Sequence, residues 1–382
     1  MNDEEKIVLK TARAIAGSFG RNYWLEKWSK EKPPEELWKK LVQEGLIGAG
    51  VPEEFGGAGG GLMGPVLVQE GLALEGLTVA HFLLTHFSRY IILKAGDKEQ
   101  IERFVTPTCV DGKKISFALT EPQAGSNSWR ISTFAKRAEN GYVLNGQKVF
   151  ITGAREADLI LVVARTKRYE DVSDKRVGIS LFVVETDRPN LRFEKLNIDL
   201  KAPEWQYQVF FDGVEVPPDN LIGKENQGYK ALFAGLNVER LMAAAIAVGA
   251  GSYVLAKALD YAKQRVVWDV PIGAHQGVQF PLARAAIRLE AARSMIYSAA
   301  RVHDSGKEDI SGMANAAKFI ASEAALEALD AAVQTFGGYA YEFETDIMNF
   351  YPGFRLFKSA PVTNELILSF IANYVLNLPR SY

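Results

Sequence analysis

The hydrophobic pattern of this chain changes its period twice, and those two changes restrict the folds open to it. Over residues 3–114 apolar residues recur at three- and four-residue spacing, as in 7–19 and 37–46, which predicts helices with one buried face. Pro33 and Pro34 open a helix at Glu35, where proline's fixed φ suits a first turn. Gly45 and the segment 51–61 break it. Residues 67–95 carry few charges, as expected of a helix buried on several sides.

At Ile115 the pattern shortens. Residues 115–119, 132–138, 142–144, 159–164, 179–184, 191–196 and 207–211 are short runs rich in β-branched and aromatic side chains. Asn140-Gly141 between two of them signals a tight turn. Residues 213–228, with Pro217 and Pro218, read as a loop leaving this region. From Tyr229 helical spacing returns and continues to about Lys263, then over 282–304, 313–336 and 362–376. A chain of 382 residues exceeds one ordinary core. The expected architecture is α+β and multidomain: an α-helical domain over 1–114, a β-barrel or sandwich over 115–227, and a helical bundle over 228–382.

Charge and cysteine content narrow the function. Lys plus Arg (44) nearly balances Asp plus Glu (46), and no stretch concentrates one sign, which argues against a nucleic-acid partner. Cys109 is alone and the histidines His81, His86, His275 and His303 are scattered, so neither a disulfide nor a metal is expected to hold the fold. Residues 1–10 are acidic and polar where a secretory signal needs a basic start and an apolar run. No segment reads as the roughly 20 apolar residues that span a bilayer. The expectation is a cytoplasmic protein without membrane insertion. No internal repeat or low-complexity tract is present.

Residues 59–64 match G-x-G-x-x-G, the dinucleotide fingerprint, but that motif needs a preceding strand and here Pro52-Glu53-Glu54-Phe55-Gly56-Gly57 precedes it. These glycines read as a loop. More informative is Phe117-Ala118-Leu119-Thr120-Glu121-Pro122-Gln123-Ala124-Gly125-Ser126, which puts two hydroxyls and a flexible turn directly after a strand. Small polar side chains and free backbone N–H groups suit a pyrophosphate, although a turn of this composition alone is more often structural. Residues 146–153 add an aromatic and a hydroxyl at a strand end.

In these segments the chain resembles the acyl-CoA dehydrogenase family, and the resemblance covers nearly its whole length. Val51-Pro52-Glu53-Glu54-Phe55-Gly56-Gly57 is similar to that family's N-terminal loop, and Leu119-Thr120-Glu121-Pro122 with Gly125-Ser126 to its first signature. Asn145-Gly146-Gln147-Lys148 with Ile151-Thr152, then 214–223, then Gln334 with Gly337-Gly338, follow in the family's order. The resemblance implies FAD as cofactor. Phe117, Leu119, Thr120 and Ser126 would line the flavin, with Phe150 and Thr152 closing over it. Arg265, Gln276, Gln334 and Gly338 would reach the FAD of a neighbouring subunit, and Thr363 and Glu365 would touch the cofactor near the end of the chain. A cofactor site built across subunits implies a homo-oligomer, in this family a tetramer.

Three positions depart from the family pattern. Phe150 stands where Trp is usual, keeping an aromatic face without the indole N–H. Arg265-Val266-Val267-Trp268-Asp269 keeps the arginine of Arg-x-x-Phe-Gly and loses the glycine. Pro361, two residues before Thr363, occupies the place of the Glu that is the base in many members, and it offers neither a carboxylate nor an N–H for the thioester carbonyl.

In the isovaleryl and long-chain members the base lies instead on a C-terminal helix, in a Glu-Arg pair, and Glu239-Arg240 stands there. Gly235, Leu236, Met242 and Ala243 lie three and four residues from Glu239, so its surroundings are mostly apolar and burial should raise its pKa. The alternative is a Glu paired with a neighbouring basic side chain. On the family reading Glu239 is the base and Arg240 contacts the acyl-CoA. The implied activity is dehydrogenation of an acyl-CoA between Cα and Cβ, with electrons passed to electron-transfer flavoprotein. Two other readings stay open: a flavin-dependent oxidase or monooxygenase on the same fold, suggested by Pro361, and a non-catalytic FAD-bound assembly subunit.

Overall fold

The computed structural model describes residues 1–306 and 309–380. Six helices open the chain: α1 (Asp3–Ser29), α2 (Glu35–Gln43), α3 (Met63–Ala73), α4 (Ala80–Ala95), α5 (Lys98–Phe104) and α6 (Thr106–Val110). Residues 67–95, read from sequence as one helix, are two, with Gly76 at φ +79° in the turn between them. Both helix starts take tertiary caps. The Asp304 carboxylate accepts from the N–H groups of Leu62 (2.6 Å) and Met63 (3.0 Å) at α3, and Glu204 accepts from Ala80 (2.6 Å) and His81 (2.8 Å) at α4. A carboxylate at a helix N-terminus satisfies orphan donors and complements the helix dipole. Both carboxylates come from residues more than 120 positions away, so neither helix start is marked locally. The Gly59, Gly60 and Gly61 loop before α3 has positive φ throughout and follows a 3₁₀ turn rather than a strand.

Eight strands follow: β1 (Ile115–Ala118), β2 (Phe134–Ala138), β3 (Gly141–Thr152), β4 (Leu159–Arg165), β5 (Ile179–Glu185), β6 (Leu191–Lys195), β7 (Gln206–Val216) and β8 (Leu221–Ile222). They form one sheet in the order β6-β7-β3-β2-β4-β5-β8, with β1 parallel to β4. Along β4 and β5 alternate residues face two different cores. Leu159, Leu161, Val163, Leu181 and Val183 join the helical core, while Ile160, Val162, Ala164, Phe182 and Val184 face Leu144, Val209 and Phe211 inside the sheet domain. That two-sided burial explains why β4 reads as an unbroken apolar run. The turn predicted at Asn140-Gly141 lies one residue earlier, at Glu139-Asn140, because Gly141 already pairs with Ala138. Strand β3 extends far beyond the predicted 142–144. Its polar stretch Asn145-Gly146-Gln147-Lys148 has little strand character alone and is held by pairing with β7, which continues to Val216 into the predicted loop.

The last third is α7 (Tyr229–Gln264), a small hairpin β9–β10 (Val266–Val267, Val270–Pro271), α8 (Gln276–Asp304), α9 (Ser311–Phe336), α10 (Tyr351–Leu356) and α11 (Asn364–Phe370), which runs on into a π-helical turn. Helix α7 corrects the expectation that nothing in the chain could cross a bilayer: by length and composition it could. Its central run Ala243-Ala244-Ala245-Ile246-Ala247-Val248 makes it apolar, and 78 % of its most apolar stretch is buried within the protein, against α3, α4, α8 and α9. The small residues permit close approach. A Cβ added at Gly249 would come within 2.6 Å of Ala73 Cβ and 2.8 Å of Glu70 O on α3.

Candidate active site

Helices α4 and α7, the ends of β3 and β7, and the chain around α10 line a pocket of about 190 Å³, partly open to solvent. Helix α7 presents Glu239, Ala243 and Ile246, which the four- and three-residue spacing stacks on one face. Helix α4 adds Ala80, Leu83 and Leu84, and the other walls carry Thr152, Gln206, Phe354, Phe357, Ala360 and Pro361. Glu239 is half-buried, and burial pushes its carboxyl up to about 7 against the opposing charge of Arg240. Arg240 does not close an ion pair with it. Its guanidinium donates to Asn237 Oδ1 at 2.6 Å, and its buried Nε has no partner. Pro361 lines the same pocket and supplies no carboxylate to it. The Pro361 segment is fixed by buried Lys318, whose Nζ donates to Val362 O and to Asn364 Oδ1 (2.9 Å).

The residues after β1 and at the end of β3 come together on one edge of the sheet. Val149 N–H donates to Thr120 O (2.9 Å), and Ser116 Oγ donates to Thr152 O (2.9 Å). Phe117 packs edge-on against Phe87, with ring centroids 4.8 Å apart. A bulge between Lys148 and Ile151 turns Phe150 outward, at φ +59° and 59 % exposed, while Thr152 faces the pocket. Gln206 Nε2 donates to Thr152 Oγ1 at 2.7 Å, which leaves the threonine hydroxyl proton available for a partner in the pocket. Ser126 is exposed in the turn after Thr120. Beneath that turn lies a fully buried ion pair: Lys148 Nζ donates to Glu121 Oε1 (2.9 Å) and Leu119 O (2.9 Å). Glu121 also accepts the N–H groups of Ser132 (2.6 Å) and Thr133 (2.9 Å).

Next to this edge, Gly153 stands at φ +61°, and a Cβ there would lie 2.0 Å from His81 Nε2. Gly153→Ala must adopt a disfavoured backbone and displace a buried ring, so a loss of about 2–4 kcal/mol is expected, read as a lowered unfolding midpoint of the apoprotein.

A second cleft lies elsewhere on the chain. Arg265, Gln334 and Gly338 line it together with Tyr261, Tyr339 and Glu342. Gln276 is exposed at the first position of α8 and does not line either cleft; Thr363 is the N-cap of α11, accepting from Leu366 N–H at 3.2 Å, with Glu365 exposed in its first turn. Within one chain the candidate cofactor residues therefore fall into separate groups. The donor set suits a flavin dinucleotide: hydroxyls at Thr120, Ser126 and Thr152, an arginine at the second cleft, and glycines at 125 and 338 where an added Cβ would meet nothing within 4 Å.

Sequence reading missed several pocket residues. Arg21, Thr78, Lys201, Glu204, Gln206 and Asn349 all line it, and they come from segments with no motif. Glu204, buried and pushed up to about 7 by that burial, stands between Pro203 and Trp205, and nothing local marks it as the cap of a helix that starts at Ala80.

Three family models match in order along the chain: the acyl-CoA dehydrogenase N-terminal domain over residues 2–111, the middle domain over 116–214 and the C-terminal domain over 226–376. The chain belongs to the acyl-CoA dehydrogenase family. It is 39 % identical to acyl-CoA dehydrogenase FadE12 of Mycobacterium tuberculosis over 384 aligned positions, covering all of this chain and 98 % of the relative. It is 31 % identical over 369 positions to the caffeyl-CoA reductase-Etf complex subunit CarC of Acetobacterium woodii, covering 96 % of each. The butyryl-CoA dehydrogenase structure from Megasphaera elsdenii superimposes with a TM-score of 0.93 at 30 % identity, covering 98 % of this chain and 99 % of that one. The fold is the family's three-domain arrangement, helical domains on either side of a middle sheet domain. As a member of this family the protein is an FAD-dependent oxidoreductase acting on a CH–CH group.

Proposed function

We propose that the protein dehydrogenates an acyl-CoA thioester between Cα and Cβ to the trans-2-enoyl-CoA, with Glu239 as the base. The observation that carries this reading is that Glu239 and Thr152 line one largely apolar pocket in which no carboxylate stands at position 361. Bound FAD supplies the acceptor for the hydride from Cβ. Glu239 takes the proton from Cα, and the electron pair left behind completes the double bond. A carboxyl with a pKa near 7 is ionised enough to act at neutral pH and basic enough to be effective. Phe117, Leu119, Thr120, Ser126, Phe150 and Thr152 hold the flavin half of FAD, with the Thr152 hydroxyl, oriented by Gln206, as a donor to the flavin edge. Pro361 has no N–H for the thioester carbonyl, so the donor comes from elsewhere; Arg240 does not line the pocket that Glu239 lines, and its contact with the acyl-CoA rests on the family resemblance alone.

Arg265, Gln276, Gln334 and Gly338 serve the FAD of a second copy, with Thr363 and Glu365 at the cofactor's margin, in a homotetramer. The exposed apolar side chains Phe280 and Ile287 on α8 and Trp268, 85 % exposed at the tip of the β9–β10 hairpin, support such contacts. Electron-transfer flavoprotein is the acceptor, a reading supported by the likeness to an Etf-complex subunit. The domains divide at 1–114, 115–227 and 228–382, and the protein acts in the cytoplasm.

The test is anaerobic addition of a panel of acyl-CoA thioesters to the holoenzyme, followed by flavin absorbance. Bleaching by at least one thioester is the expected result, and an unchanged spectrum across the panel removes the reading. Pro361 in the pocket wall favours one second reading, an oxidase or monooxygenase, for which thioester-dependent oxygen uptake without any electron-transfer protein is the distinguishing result.

A further inference from the structure

We propose that the acyl pocket is built for an acyl group whose far end carries an oxygen that accepts hydrogen bonds, a hydroxyl or a carboxylate, rather than a plain alkyl terminus. The proposal rests on the dehydrogenase reading, with Glu239 marking the position of the reacting carbons.

The pocket has a direction. Glu239, Ala243 and Ile246 all line it, and a rise of 1.5 Å per residue sets Ile246 about 10 Å along α7 from Glu239. Seven residues further along, the ring of Tyr253 meets Phe350, with centroids 5.7 Å apart, and Phe350 lies beneath the Arg21 guanidinium at 4.4 Å. Arg21, Thr78, Asn349 and Phe350 line the pocket as well. Through Tyr253, Phe350 and Arg21, and through the Asp346 that Arg21 and Asn349 share, this group marks the end remote from Glu239, with Thr78 two residues from Gly76, whose carbonyl accepts from Arg21; Leu83, Leu84, Ala243, Ile246 and Phe354 are apolar residues of the same lining.

That remote end is polar and has unused hydrogen-bonding capacity. Arg21, only 8 % exposed, donates from Nε to Asp346 Oδ2 (2.7 Å), from Nη1 to Gly76 O (3.0 Å) and, at a long 3.5 Å, from Nη2 to Asp346 Oδ1. A guanidinium has five N–H groups, so two are unused. Asn349 donates to Asp346 Oδ1 (2.8 Å), and its own carbonyl oxygen has no hydrogen bond among the described residues. The Thr78 hydroxyl likewise has none.

Two cations line the pocket, and of the two carboxylates paired with them neither lines it. Lys201 also lines the pocket, with Nζ 4.1 Å over the Trp28 ring and 5.9 Å from that of Phe343, three residues before Asp346. Its partner Asp199, at 2.7 Å, is 61 % exposed on its side chain and so is screened by water. Two cations thus face one buried carboxylate, that of Asp346. Glu204, the other carboxyl in this wall, already accepts two N–H groups at the start of α4. An alkyl terminus pushed into this end would strip water from Arg21, Thr78 and Asn349 and return no hydrogen bond. An acceptor oxygen matches the Arg21 and Thr78 donors and the local charge, and sites built to bond a substrate oxygen discriminate strongly against analogues without one.

The experiment is stopped-flow reduction of the holoenzyme's FAD by three thioester series of matched chain length: unsubstituted acyl-CoA, ω-hydroxyacyl-CoA and ω-carboxyacyl-CoA. The expected result is a specificity at least tenfold higher for an ω-oxygenated member than for the plain acyl-CoA of the same length. Thr78→Val should shrink that ratio and Thr78→Ser should keep it, while Asn349→Leu should shrink it for the ω-hydroxy series only, because the Asn349 carbonyl can accept from a hydroxyl and not from a carboxylate. Preference for both oxygenated series assigns the selection to hydrogen bonding, and preference for the carboxylate alone assigns it to Arg21 and Lys201; either supports the proposal. Equal or better reduction by plain acyl-CoA at every length overturns it and leaves the dehydrogenase reading standing. Reduction by none of the three series removes both.

Discussion

Glu239→Gln is expected to retain FAD with an unchanged absorbance spectrum and to slow flavin reduction by the best thioester by about 10²–10⁴-fold, the usual contribution of a positioned base. The substitution is nearly isosteric, and Glu239 makes no side-chain hydrogen bond among the described residues for the amide to break, so fold and cofactor should survive. The pH dependence follows from the sign of the shift. Burial raises the Glu239 carboxyl to about 7, and a base works only when ionised, so the reduction rate should be low at pH 5 to 6, rise through about 7, and level off above. A base at the ordinary carboxylate value would instead give a flat profile over this range. A variant that loses activity together with its flavin would place Glu239 in the structure rather than in the chemistry. Full activity in the variant would return the search for a base to the pocket, where Glu204 is the other carboxyl raised to about 7.

Much of this fold was legible because periodicity records burial. The helical spacing of α7 and α9, and the β-branched runs of β4 and β5, are patterns that one core imposes on consecutive residues. What escaped depends on partners distant in sequence. The second half of β3 is a strand because β7 pairs with it, and the break between α3 and α4 is fixed in part by Glu204, 124 residues from the N–H of Ala80 that it accepts. The site divides in the same way. Glu239 was legible through the Glu239-Arg240 pair that resembles the family's, with only part of its apolar surroundings, Ala243 and Ile246, on its own helix. Arg21, Thr78 and Asn349 converge from three segments, and no local pattern could bring them together. The chain also contains a helix long and apolar enough to cross a membrane, because an apolar run buried by protein and one buried by lipid have the same composition.

The ion pair beneath the turn of residues 119–126 gives the largest expected effect on stability. Lys148 and Glu121 are both 0 % exposed at the side chain, and burial draws the lysine down to about 8, still protonated at neutral pH. Burial alone would raise Glu121, but the Lys148 charge and the hydrogen bonds from Lys148, Thr133 and Ser132 hold its carboxyl below the usual range. Lys148→Met leaves that carboxylate buried without its counter-charge, a loss of about 3–5 kcal/mol for comparable pairs. The consequence should be local as well as global. Lys148 also holds Leu119 O, so the turn carrying Thr120 and Ser126 loses an anchor and FAD should dissociate more readily. Thermal unfolding of the apoprotein and FAD retention on dilution measure the two effects. Adding Glu121→Gln to Lys148→Met should recover part of the stability, because the uncompensated charge is then gone, but not the FAD affinity, because Leu119 stays unanchored. Recovery of both would mean that the pair acts only through its buried charge, and recovery of neither would mean that packing around the lysine stem, rather than electrostatics, holds this edge of the sheet.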